Sequence, residues 1–156
     1  LVQNIISTYD PVNSSNTESL GSFGKGIATA RYITRRVTLN DNFDSTGLTV
    51  YFDVQRPPGT SVEVYYKVLN SVDTNNFDNQ PYVKMPAILT PGSGVSNTSP
   101  TSWTTDTYQS TGITYNDITT GVTYDNFKTF AIKVVFYSSN PVFVPQIKNF
   151  RAIASI

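Results

Sequence analysis

Two acidic turns are the first places where this chain could do chemistry. Asp41-Asn42-Phe43-Asp44 and Asp73-Thr74-Asn75-Asn76-Phe77-Asp78 gather the hard oxygen ligands that calcium prefers. An EF-hand loop spaces such ligands at alternate positions, sets a glycine mid-loop and closes on a glutamate. Here Phe77 fills a ligand position and no glutamate follows. The repeated Asn-Phe-Asp, at 42–44 and 76–78, reads better as an Asx-type turn whose aromatic plugs the core. Gly21-Ser22-Phe23-Gly24-Lys25-Gly26 looks superficially like a phosphate loop, but it follows no strand. Gly26 also stands where a Ser or Thr would bind magnesium. A flexible approach to the first strand is the expected role of that stretch.

General acid–base catalysis would need carboxylates converging in a cleft. Nine of the eleven acidic residues are aspartates scattered through turns. Asp53 and Glu63 fall in neighbouring expected strands, with Arg56 and Lys67 near them in sequence, so simple surface pairing is expected there. The chain contains neither histidine nor cysteine. That removes the commonest general base, the commonest metal ligand, thiolate nucleophiles and disulfides. The expectation is a protein that is not an enzyme, with no catalytic residue, no metal and no cofactor.

Aromatic side chains offer a different chemistry. Trp103, Tyr108, Tyr115 and Tyr124 occur in polar, loop-like sequence, where an exposed ring could stack on a sugar or a base. The competing role for Trp103, and the favoured one, is to cap the core as large aromatics usually do. Arg31, Arg35, Arg36 and Arg151, with the tyrosines, are candidate interface anchors, because Arg and Tyr are enriched at binding hot spots. The plainer reading of the same side chains is a solvated sheet face. Asn13-Ser14-Ser15 and Asn97-Thr98-Ser99 match the glycosylation sequon, which arises easily by chance in a chain so rich in Asn, Ser and Thr.

The elements that position these residues are strands. Ten Tyr, nine Phe and abundant Val and Thr suit a pleated, half-buried surface, while Met85 is the sole methionine and Glu18 and Glu63 are the only glutamates. Arg31–Leu39 and Leu48–Gln55 read as β runs, the second closed by Arg56-Pro57-Pro58-Gly59-Thr60. Ser61–Leu69 alternates cleanly, with Val62, Val64, Tyr66 and Val68 on one face and Glu63, Tyr65 and Lys67 on the other. The runs either side of the Pro-Pro turn are expected to pair as adjacent antiparallel strands. Signal weakens from Asn70 to Gly121, then Phe127–Tyr137 and Ile147–Ile156 supply two more strands. Roughly seven or eight antiparallel strands make an all-β sandwich, jelly-roll-like in order, with the two ends of the domain near each other. The 156 residues divide into an arm or linker at 1–29 and one β-sandwich domain at 30–156.

Net charge is zero and charged residues are 14% of the chain, so no basic field exists to hold nucleic acid or anionic lipid. No run of about 20 apolar residues suggests a transmembrane helix, and no signal peptide is visible. The chain opens at Leu1 without an initiator methionine, as a piece of a longer polypeptide or a processed product would.

Two blocks carry a resemblance. Ala30–Met85, which includes Arg31-Tyr32-Ile33-Thr34 and Val64-Tyr65-Tyr66-Lys67, resembles a segment of virion structural proteins of contractile-tailed phages, particularly large cyanophages and their marine relatives. Asn126–Ala154, ending in Arg151-Ala152-Ile153-Ala154, is similar to the C-terminal end of the same proteins. The resemblance implies a C-terminal β-sandwich domain of a tail, baseplate or fibre-associated protein, located in the virion. It supplies no catalytic residues. Its partners would be other virion proteins in a homo-oligomer or repeated assembly. A carbohydrate- or receptor-binding module that adheres to a host surface glycan is the alternative.

Overall fold

The computed structural model describes residues 30–88, 102–138 and 142–156. The phosphate-loop-like stretch at 21–26, both sequons and the expected arm at 1–29 lie outside the described residues. Among the described residues ten strands form: β1 (Ala30–Ile33), β2 (Val37–Thr38), β3 (Gly47–Gln55), β4 (Thr60–Leu69), β5 (Val83–Met85), β6 (Thr104–Ser110), β7 (Tyr115–Asn116), β8 (Thr123–Tyr124), β9 (Thr129–Ser138) and β10 (Gln146–Ser155). They exceed the expected seven or eight because β2, β7 and β8 are two-residue pieces too short for any periodicity to register. Among the described residues no helix is long and apolar enough to cross a membrane.

All pairings are antiparallel. The larger sheet runs β1-β9-β4-β5, with β2 also on β9; the smaller runs β10-β3-β6; β7 and β8 form a separate hairpin. Alternate residues of the two sheets fill the space between them: Leu48, Val50, Phe52 and Val54 of β3 meet Val62, Val64, Tyr66 and Val68 of β4 and Phe130, Ile132 and Val134 of β9. The result is an all-β sandwich whose chain passes back and forth between its two layers. One side is closed where Ala87, just beyond β5, bridges to Tyr108 of β6. At one end Ser45 bridges to Phe127 and the amide of Thr46 donates to the carbonyl of Ser155 at 3.0 Å. The first and last strands among the described residues do come together, with β1 and β10 in contact through an edge-to-face pair of Tyr32 and Phe150.

Three sequence expectations about the sheets need correction. The strand expected over Arg31–Leu39 is broken at Thr34–Arg36. Thr34 donates its N–H to the Ile132 carbonyl at 2.9 Å and accepts the Ile132 N–H on its hydroxyl at 3.0 Å. A side chain thus takes the place of a backbone acceptor, and β1 and β2 meet β9 one register apart.

The strands flanking the Pro-Pro turn do not pair with each other. β3 bonds to β10 and β6, whereas β4 bonds to β9 and β5. Two prolines without N–H groups cannot extend a ladder. Instead Gly59 takes φ 80 and Thr60 folds back, its N–H and hydroxyl donating to the Pro57 carbonyl at 3.1 and 2.7 Å. The chain thereby steps to the opposite layer, so the two apolar rows face each other rather than lying side by side.

The surface pairing expected for Glu63 and Lys67 is also replaced. β4 is buried on both faces: Tyr65, Tyr82, Val135 and Tyr137 form a second cluster outside the larger sheet. The Glu63 carboxylate accepts from Tyr65 at 2.7 Å, Tyr137 at 3.2 Å and Lys84 at 2.5 Å. The Lys67 and Lys133 ammonium groups lie 5.0 and 4.4 Å from the Tyr82 ring centroid. Alternation alone could not reveal this layer, because the covering segment comes from the Asn70–Tyr82 connection.

Candidate functional site

The outer face of the small sheet is the richest in accessible polar and aromatic groups. Strand alternation aims Tyr51, Asp53 and Thr105 away from the core formed by their neighbours Val50, Phe52 and Val54. The register sets Asp53 between Thr105 on β6 and Lys148 on β10, and Tyr51 between Thr107 and Arg151. Asn149 and Phe150 form a bulge between Lys148 and Arg151. Asn149 sits at φ 54, in the left-handed region that few residues other than Gly and Asn tolerate. The bulge lets Phe150 turn inward, its ring 6.4 Å from Phe52, while the Asn149 amide stays on the outside.

Asp53 is the hub. One carboxylate oxygen accepts from the Thr105 hydroxyl at 2.7 Å and the other from the Asn149 amide at 2.7 Å. These two hydrogen bonds hold the Asp53 carboxyl below its ordinary pKa. A shallow cleft of about 410 Å³ opens over this group, walled by Tyr51, Asn149 and Arg151. The Arg151 guanidinium lies 5.8 Å from the Tyr51 ring centroid.

Trp103 does not cap the core. It is 38% exposed, and the Lys148 ammonium lies 4.1 Å from its ring centroid. Two residues before Thr105, it belongs to the same outward row and ends that face. The structure therefore places Trp103, beside Lys148, and Arg151, beside Tyr51, on one side of the small sheet and sends the other candidates elsewhere.

Tyr108 is inside the sandwich, stacked 5.4 Å from Phe52, not on an exposed loop. Tyr115 accepts the Asn70 N–H at 2.7 Å and donates to Asp73 at 2.8 Å, and its ring lies 5.4 Å from Tyr124. Burial and the neighbouring Asp73 charge drive its phenol well above the usual range. Arg31 is on β1 opposite Val135, and Arg35 is exposed in the break between β1 and β2, both on the larger sheet.

The acidic turns resolve as two different objects. Phe77 is buried as expected, and Asn76 accepts the Asp78 N–H at 3.0 Å in an Asx turn. Phe43 instead is 59% exposed, because the turn around Asn42, at φ 67, projects from the end of the sandwich. Asp73 spends both oxygens internally, accepting from the backbone and amide of Asn75 at 2.8 and 2.7 Å and from Tyr115. Asp117 accepts the N–H groups of Thr119 and Thr120 at 2.7 and 2.9 Å and the Asn75 amide at 2.8 Å. These bonds tie the Asn70–Tyr82 connection to the β7–β8 hairpin. Among the described residues no three His, Cys, Asp or Glu side chains gather as a metal site.

Sequence reasoning missed Tyr51, Thr105 and Asn149. One signal was present: Ile147 and Phe150 are three apart, a slip in a period-two pattern that marks a bulge. Comparison with known proteins finds no matching family model, no matching curated protein and no matching solved structure.

Proposed function

We propose that this domain is a non-enzymatic structural component of a phage virion, in the tail, the baseplate or a fibre-associated position, acting through protein–protein contacts. The sequence blocks quoted above support the phage context. The observation that carries the contact role is an apolar groove on the open side of the sandwich, where edge strands β1 and β10 meet. It has about 560 Å³ of space, and Tyr32, Phe136, Val144, Ile147 and Phe150 line it. Tyr32 and Val144 are exposed, as are Val142 and Phe143 beside them. Clustered apolar surface of this kind marks interaction sites more often than chance.

The β10 edge is guarded against simple strand addition by its bulge and by Lys148 and Arg151. Contact through side chains in the groove is the mode this geometry favours. Many copies of such a modest contact suffice in a symmetric particle.

The test is the mass and stoichiometry of this chain in a purified particle, with wild type compared against Val144→Asp. Incorporation in fixed copy number, reduced by the substitution while the soluble chain keeps its melting temperature, is the expected result. Absence of the chain from purified virions overturns the proposal.

A further inference from the structure

We propose that the outer face of β10-β3-β6 binds a neutral carbohydrate, with Asp53, Thr105, Asn149 and Arg151 as its hydrogen-bonding groups and Tyr51 and Trp103 as its stacking rings. The proposal does not rest on the particle reading: it is tested on the isolated chain, and of the residues around the cleft only Asn149 and Phe150 also line the groove.

A sugar presents adjacent hydroxyls, each both donor and acceptor, around a ring whose C–H faces are apolar. The cleft offers the complement of both. An ionised carboxylate has about four acceptor positions. Asp53 uses one on each oxygen, for Thr105 and Asn149. The rest remain for a pair of hydroxyl donors, while the Arg151 guanidinium supplies donors to the same cleft. Tyr51 stands on the same outward row as Asp53 and lines the cleft, and Trp103, 38% exposed beside Lys148, lies outside that lining, further along the face. Aromatic faces of this kind take the apolar side of a ring while their rims stay wet.

Two features argue that the cleft is built rather than incidental. Asn149 occupies a left-handed conformation at φ 54 and a bulge, and that strained geometry is what delivers its amide to Asp53. Bulges of this type re-aim side chains next to sites, and strain of this kind concentrates where function needs it. The Thr105 hydroxyl fixes the second oxygen at 2.7 Å, so the carboxylate is oriented before any ligand arrives.

Other ligand classes fit less well. A phosphate or a nucleic-acid backbone would meet the Asp53 charge at the floor of the cleft. A divalent cation would find one carboxylate beside Arg151, where several oxygens are needed. The space, about 410 Å³, falls within the ~300–1,000 Å³ usual for small-molecule sites.

The experiment is a protein-observed NMR titration of the full chain with methyl glucoside, methyl mannoside, methyl galactoside and sialic acid as probes, followed by a neutral oligosaccharide array. At least one neutral sugar is expected to shift amides within 49–55, 103–107 and 147–153, saturably. Asp53→Asn, which keeps the size of the side chain, and Tyr51→Ala should each weaken that binding roughly tenfold or more. Trp103→Ala should weaken it for oligosaccharides more than for monosaccharides. Retention of the wild-type amide pattern away from the face shows that each variant folds. No saturable shift with any neutral sugar, binding confined to sialic acid, or binding indifferent to both Asp53→Asn and Tyr51→Ala overturns the proposal.

Discussion

Arg56, at the mouth of the Pro-Pro turn, donates to the carboxylate of Asp106 on β6 inside the sandwich, where 2% and 0% of the two side chains are exposed. Tyr108 joins them, its hydroxyl 3.2 Å from the guanidinium and 3.4 Å from the Val62 carbonyl. Burial draws the guanidinium pKa down and pushes the Tyr108 phenol up. A charge pair in this position ties the crossover between the two sheets to the edge strand of the smaller one.

Breaking the pair from one side leaves a buried charge uncompensated. Arg56→Met alone and Asp106→Leu alone should each cost about 3–5 kcal/mol. The double substitution should cost clearly less than their sum. Urea unfolding of the four proteins measures this, and additivity within ~0.5 kcal/mol would contradict it.

The two Asn-Phe-Asp turns should respond differently to truncation. Phe77 is 4% exposed, with the Lys67 ammonium 4.6 Å from its ring centroid, whereas Phe43 projects from the end of the sandwich. Phe77→Ala should cost about 3–5 kcal/mol. Phe43→Ala should stay within about 0.5 kcal/mol of wild type, as surface changes do. Thermal melting of the two variants separates them directly.

At the bulge, Asn149→Gly relieves the left-handed backbone and loses only the amide bond to Asp53. Asn149→Val keeps a β-carbon in that conformation and adds a branched one. The Val variant should be the less stable of the two by about 1–2 kcal/mol. Equal stability would show that the bulge relaxes to ordinary extended backbone.

Acid should loosen the contact between the β7–β8 hairpin and the Asn70–Tyr82 connection first. The backbone N–H groups of Thr120 and Thr119 lower the Asp117 pKa from 3.8 to about 2. A carboxyl whose pKa is lower in the folded than in the unfolded state stabilises fully above the unfolded value and loses that contribution as pH falls towards the folded one. Stability should therefore drop between roughly pH 4 and pH 2. Asp117→Asn should flatten that part of the profile, as read by denaturant midpoints at each pH. An unchanged slope would remove Asp117 as a cause.

Much of the architecture was legible because a half-buried strand writes itself as alternation. Val62, Val64, Tyr66 and Val68 fall on one face in sequence and in space, and so do Phe130, Ile132 and Val134. The all-β class, the strong fourth and ninth strands and the meeting of β1 with β10 follow from that pattern. Individual side-chain duties were less legible. Tyr108 and Trp103 stand five residues apart in similar polar sequence, yet one stacks on Phe52 in the core and the other shares the surface with Lys148.

Periodicity tells which residues share a face, but not what lies opposite that face. Composition and alternation alone determined that this chain builds sheets with an apolar inner row and an uncharged, Thr- and Asn-rich coat. Only the tertiary structure decided that the Pro57-Pro58 turn crosses between layers, that Glu63 and Lys67 lie beneath a second cover, and that Asp53, Thr105 and Asn149 converge. Those three residues lie on strands far apart in sequence, and pairing across such separations depends on global packing that no local window contains.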